Sequence, residues 1–296
     1  MAATLHISLS AETLFTVGEF QVTNSILTSL IVSALLILFA FIVRSKLTNT
    51  TKPSGIQNVA EFLVEGFYSF IHSITADHKK SRDFLPFIAT FFLFIIMNNW
   101  LGLFPGVHSI GVIRSKSEQY TQVPTDQLAF NSVAYAATPT NSPLDVPEGD
   151  TSADDATAQK EEKGSFVPLF RAGTADLNST LALAIVSVLL TQFFGFSYLK
   201  GSYFSKFFNF ESPIMFFVGI LELVSEISKV LSFAFRLFGN IFAGEVLLVV
   251  IASLAALVLP MPFYALEIFV GFLQALVFSL LTLVFFNMAT QAHESH

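Results

Sequence analysis

Apolar runs of membrane-spanning length alternate along this chain with short polar breaks. The first is about Ser25–Val43 (SILTSLIVSALLILFAFIV), which carries no charge and ends at Arg44 and Lys46. Its length and composition predict a transmembrane helix. Thr48–Gly55 (TNTTKPSG) follows and reads as a loop from its Thr, Asn, Pro and Gly content. Asn58–Asp77 has a different pattern. Val59, Phe62, Leu63 and Phe67 recur at helical spacing, and Glu61 and Glu65 stand four residues apart. This is an amphipathic helix suited to lie on a membrane surface. A second span is predicted over about Phe84–Phe104, with Asn98, Asn99 and Trp100 near its end. Trp100 suits an interfacial anchor, and at least one of the two amides should face protein or water.

A third span is predicted over about Leu181–Leu199, and Pro213 then opens a longer helix. No proline interrupts Pro213–Leu259, and at ~1.5 Å per residue a helix of that length is about 70 Å long. The hydrocarbon core is only about 30 Å thick, so the helix must break or tilt steeply. Pro260 and Pro262 are expected to end it. A final span, Phe263–Thr290, is also long for a perpendicular crossing. The pattern therefore predicts an all-α integral membrane protein. It has about five membrane-embedded helices plus an amphipathic surface helix, and the last two spans are long and steeply tilted. Four regions are expected: a lead-in over 1–24, the first two spans with the surface helix over 25–106, an extramembrane insert over 107–175, and a core over 176–296.

Composition supports a membrane chain: 53% of residues are hydrophobic and 12% charged, about half the charged share of an ordinary soluble domain. The 35 Phe are expected to face lipid or pack the core. No Cys is present, which excludes disulfides and thiol chemistry. The six His show one close pair, in the terminal tail, so no metal site is expected. Of the net charge of −7, most comes from the insert, where ten acidic residues face five basic ones between Val107 and Asp176. The middle of the insert is poor in apolar residues and expected to be partly flexible. Its flanks, HSIGVIRSKS and QLAFNSVAYAA, could form a short hairpin. The lead-in lacks Lys and Arg, so no cleavable signal peptide is expected, and it has room for a short surface helix. The loop over 44–83 carries six Lys and Arg against none in the lead-in. The positive-inside rule then puts the N-terminus outside and the C-terminus inside.

Candidate chemistry lies on the long helix. On a wheel of about 100° per residue centred on Arg236, Glu222, Ser225, Lys229, Ser232 and Asn240 all fall within about 40° of it. A polar stripe on an apolar helix should face protein or a water-filled cavity. Gly239, Ala243 and Gly244 are small enough to admit a partner helix. Glu245 points about 180° away from Arg236 and is expected to face the last helix, where Glu267 and Gln274 share a face. The plainer reading makes these charges structural ion pairs or snorkelling side chains. It serves Lys229 as well as a functional one does. It fits Arg236 poorly, because a guanidinium cannot discharge at mid-membrane.

The run RLFGN-x-x-AGE at Arg236–Glu245, the preceding Ser228–Lys229 pair and Leu273–Ala275 followed by LT-x-VF-x-x-MA together resemble subunit a of the F-type ATP synthase. TADLN at Thr174–Asn178 and NNWLGLFPG at Asn98–Gly106 resemble two further stretches of that family, which brings in Asn99 and Asp176 as supporting positions. The resemblance implies a proton-translocating stator subunit, non-catalytic, with no cofactor and no nucleic-acid partner. Its partners would be a ring of c subunits, b-type peripheral stalk subunits, the rest of the synthase and the lipid bilayer. Arg236 would face the ring. Asn240, Glu245, Glu267 and Gln274 would line an aqueous half-channel open to the outside, and Glu222 and Ser232 one open to the inside. Many members carry one Glu and one His where this chain has Glu245 and Glu267. If close, the two carboxyls should share a proton. The organisation points to a bacterial plasma membrane, with an organelle inner membrane as the alternative. A secondary transporter would predict internal repeats, and a structural scaffold would tolerate loss of Arg236. The absence of a G-x-x-x-x-G-K-[ST] loop puts nucleotide chemistry on another subunit.

Overall fold

The structure is a computed structural model that describes residues 11–18, 20–47, 55–104, 110–114, 165–200, 203, 207, 213–254 and 259–291. Most of it belongs to one compact unit, residues 1–110 with 169–296; Gly111–Pro168 forms a second. Among the described residues the first unit contains six α-helices: α1 (Asn24–Lys46), α2 (Gly55–Thr75), α3 (His78–Leu103), α4 (Leu177–Leu199), α5 (Pro213–Leu254) and α6 (Pro260–Ala289). All but α2 are long and apolar enough to cross a membrane. The chain is therefore an all-α multi-pass membrane protein.

Three of the helices begin where a side chain accepts from the free amides of the first turn. The Thr23 hydroxyl accepts from the Ile26 amide, Asp77 from those of Lys79 and Lys80, and Asp176 from that of Asn178. Pro260 and Pro262 open α6 rather than closing the helix before it; α5 ends at Leu254. Proline loses nothing in a first turn, where its missing N–H would be unpaired anyway. Between Pro213 and Leu254 α5 is unbroken over 42 residues, a length of about 63 Å. Twice the hydrocarbon thickness cannot stand upright in it, so the helix tilts or runs beyond the hydrocarbon.

The lead-in departs from expectation. Thr13–Val17 (β1) and Phe20–Thr23 (β2) pair antiparallel where a surface helix had room to form, with Gly18 at φ 65° after the first strand. The alternation of apolar and polar residues in Phe20–Thr23 has the period of a strand. In the second unit Gly111–Arg114 (β3), part of the first insert flank, pairs antiparallel with Ser165–Pro168 (β4). That second flank and the polar middle of the insert lie outside the described residues.

Two apolar clusters hold the helices together. Phe91, Ile95, Phe233, Leu237, Ala275 and Phe278 join α3, α5 and α6. Ile71, Phe84, Ile88, Phe194, Leu283 and Phe286 tie α2 to α3, α4 and α6. The Phe84, Phe194 and Phe286 rings meet at 4.9–5.4 Å, within the range of edge-to-face contact. On the surface helix, Val59 and Phe62 stay exposed while Ile71 is fully buried.

At the α2–α3 elbow the structure brings together a histidine pair that the spacing concealed. The His72 and His78 rings stack 4.3 Å apart, with Tyr68 Oη 2.7 Å from His78 Nδ1. The two lie on consecutive helices that reverse at Ala76, φ 51°, and a reversal is invisible to sequence distance.

Candidate functional site

Arg236 lies near the middle of α5 and is exposed. Among the described residues it makes no hydrogen bond and no ion pair. Phe233, Ala234 and Leu237 turn into the core, which leaves Arg236 on the flank of the helix. Ser225, Ser232, Asn240 and Ala243 are exposed on the same stripe, and a Cβ added at Gly239 would meet nothing. The stripe therefore opens away from the bundle. Glu222 and Lys229, also on it, are half-buried. Lys229 turns inward: its Nζ is 2.7 Å from Glu226 and 4.9 Å from the Phe285 ring centroid. The predicted six-residue stripe thus divides into an outward part centred on Arg236 and an inward-turning end.

The second site is a cavity of about 270 Å³ on another face of α5. Glu245, Glu267, Asn99 and Tyr264 supply its polar lining, with Gly102, Ala172, Ile241 and Leu248 among the remainder. Glu267 and Gln274, seven apart on α6, are both buried. Glu267 Oε1 has no hydrogen-bond partner among the described residues. Gly244 makes room for it, because a methyl there would overlap the Glu267 carboxylate.

Glu245 has a partner that sequence reasoning missed. Arg171 Nε donates to Glu245 Oε2 at 3.0 Å, and Arg171 is 6% exposed. Glu245 thus pairs with the segment before α4. By sequence, Arg171 falls within the expected extramembrane insert over 107–175. Instead Leu169–Ala175 packs into the helical unit. A Cβ at Gly102 or Gly173 would collide with Ala172 or with Ser29 and Asn98, so two glycines allow the close approach. The signal was available: Arg171 is a basic residue between the apolar PLF and the TADLN run, outside the acidic tract.

Amides and a carboxylate fix this segment. Asn99 Nδ2 donates to the Gly271 carbonyl at 3.1 Å, and its Oδ1 accepts from Thr174. Asn98 accepts from Ser29 at 3.1 Å, so both amides face protein. Trp100, partly exposed, donates from Nε1 to the Ile268 carbonyl at 3.1 Å. Asp176 is buried as the α4 cap and also accepts from Ser179. Asn99 and Asp176 thus order the cavity wall. The expected proton-sharing carboxyl pair is modified by Arg171: one carboxyl, Glu245, is held by a guanidinium, and Glu267 stands without one among the described residues.

The profile of the family described as "ATP synthase A chain" matches residues 26–287. The chain belongs to the ATP synthase A chain family. Among its relatives are proteins named "ATP synthase subunit a" from Campylobacter jejuni strains 81-176 (serotype O:23/36) and RM1221. Each is 29% identical over 268 residues, covering 88% of this chain and 89% of the relative. As a member of the ATP synthase A chain family it is a proton-translocating membrane subunit of an ATP synthase complex, not the catalytic one.

Proposed function

We propose that the subunit provides two offset aqueous half-channels and that Arg236 acts on the carboxylates of a rotating c-subunit ring between them, so that proton flow drives rotation. One observation carries this reading. A permanently charged side chain stands exposed at the middle of a membrane-length helix, with no counter-ion among the described residues. In lipid that is costly, so something outside the chain must compensate it, and an acidic partner does so best.

A proton cannot cross about 30 Å of hydrocarbon unaided. The Glu245–Glu267 cavity, with Asn240 and Gln274 toward the Arg236 level, is the entry from outside. Glu267 takes up and releases the proton, while Arg171 pairs with Glu245 and orients it. A ring carboxylate receives the proton, becomes neutral and turns through lipid. On return it meets Arg236, which favours its ionised form, and the proton leaves past Ser232 and Glu222 to the inside. Arg236 also bars a direct path between the channels, since a fixed cation repels a migrating proton. Each charge moved through about 100 mV supplies about 2.3 kcal/mol. The c-ring and a b-type stalk are the partners this mechanism requires, and a bacterial plasma membrane with the N-terminus outside fits the loop charges.

Replacing Arg236 tests the reading. Arg236→Ala in the assembled synthase should abolish proton-driven ATP synthesis and permit passive leak. Arg236→Lys should not rescue it, because lysine loses the planar fork and discharges when buried. Coupled synthesis at the wild-type rate in either variant overturns the assignment.

A further inference from the structure

We propose that the cavity between α3, α5 and α6 is a binding site for a small lipophilic amine, which lays its apolar body along the walls, sets its ammonium against Glu267 and thereby blocks proton entry. Binding follows from the cavity itself; the block rests on the entry role given to the cavity above. The cavity measures about 270 Å³, room for a compact molecule and far more than a single relaying water needs. Leu103, Ile241, Leu248, Val249 and Ala252 make much of its wall apolar. A mostly apolar wall with a few placed polar groups is the usual make-up of a small-molecule site. Tyr264 and Ala252 are exposed and mark the mouth. Glu267, one turn further along α6, is buried at the deep end.

Four polar side chains line the cavity, and two of them are already answered. Arg171 donates to Glu245, and Asn99 is held by the Gly271 carbonyl and Thr174. Left are the Glu267 carboxylate and the Tyr264 hydroxyl. Neither makes a hydrogen bond among the described residues, and Glu267 Oε1 is buried. A methyl at Gly244 would overlap the Glu267 carboxylate, so that carboxylate lies against the α5 backbone. The charges select the ligand. Arg171 offsets Glu245, which leaves the single negative charge of an ionised Glu267. A buried charge is tolerated when it is paired and hydrogen-bonded, and one ammonium supplies both. Its charge-assisted bond is roughly twice as strong as a neutral one. A metal ion suits the site less well. Hard cations take several oxygen ligands, and among the described residues no three His, Cys, Asp or Glu come together to hold one. An anion would meet the uncompensated carboxylate and be repelled. Association is non-covalent, and the amine arrives and leaves as the ammonium.

The test uses the assembled synthase in sealed membranes and two probes of one shape, adamantan-1-amine and adamantan-1-ol. The first is an ammonium at neutral pH and the second is uncharged. This chain contains no Cys, so Ala252→Cys at the mouth reports occupancy through its labelling by a thiol reagent. The amine should slow that labelling saturably, half-maximally at a concentration at least about tenfold below the alcohol's, the scale of one charge-assisted hydrogen bond. Glu267→Gln added to Ala252→Cys should bring the two probes together. No protection by the amine, equal protection by both probes, or a preference that survives Glu267→Gln overturns the site. Where the double variant does not assemble, the comparison of amine with alcohol in Ala252→Cys alone decides. Synthesis driven by membrane potential alone, which avoids the collapse of a pH gradient by a permeant base, should fall over the same amine concentrations. Protection of Ala252→Cys with synthesis unchanged overturns the block. Arg236→Ala is measured alongside: coupled synthesis there overturns the Arg236 reading, whereas the labelling results stand or fall on their own.

Discussion

Three cations on or beside α5 have three fates. Lys229 folds back onto Glu226 and Phe285, Arg171 is buried against Glu245, and Arg236 is exposed with no ion pair among the described residues. The first two are answered within the chain, and only the third calls for an external partner. The Arg171–Glu245 pair has a consequence. Removing one member of a buried pair leaves the other uncompensated, which typically costs about 3 kcal/mol or more. Arg171→Gln should therefore lower the thermal stability of the purified complex, and adding Glu245→Gln should recover most of the loss. An unchanged melting temperature in the single variant would show that the pair does not hold the segment in place. For proton entry, Glu267→Gln should slow flux more than Glu245→Gln. Normal flux in the double variant would remove both from the pathway. Gly244→Ala should resemble Glu267→Gln, since its methyl would displace the same carboxylate.

At the scale of elements, capping residues set where helices begin, and one cap makes a pH prediction. Two backbone amides donate to Asp77 at the start of α3, at 2.7 Å from Lys79 and 3.4 Å from Lys80. Chiefly the bond from Lys79 holds its carboxyl below the ordinary 3.8. A folded-state value below the unfolded one means that the cap stabilises above the ordinary carboxylate range. That contribution is lost as pH falls through the depressed value. Hydrogen exchange in the first turn of α3 should accelerate below about pH 4, and Asp77→Asn should remove that pH dependence. An identical acid response in Asp77→Asn would rule the cap out as its source. Apolar period made the spanning helices and the surface helix legible in the sequence. Their ends were less so: α3 begins at His78 rather than near Phe84 because Lys79, Lys80 and Arg82 form its first turns. Hydropathy reports where the lipid-like stretch lies, whereas the backbone hydrogen bonds decide where the helix starts.

At the scale of the whole molecule, orientation can be measured in the same cysteine-free background. Arg82 near the start of α3 and Met261 in the first turn of α6 are both exposed. Arg82→Cys should be labelled from the inside and Met261→Cys from the outside. Labelling of both from one face would overturn the charge-based topology.

The five spans, the polar stripe through Arg236 and the shared face of Glu267 and Gln274 were determined by sequence, because helical period and burial cost are local properties of the chain. Tertiary structure decided which polar groups meet. The sequence distance of 74 between Arg171 and Glu245 carries no information about their contact. Neither the Asn99–Gly271 bond nor the turning of Gln192 toward Tyr203 follows from any period. Those meetings depend on how closely separate helices approach, set by small residues such as Gly102, Gly173, Gly195 and Gly244. A pattern along one helix cannot reveal what another helix brings to it.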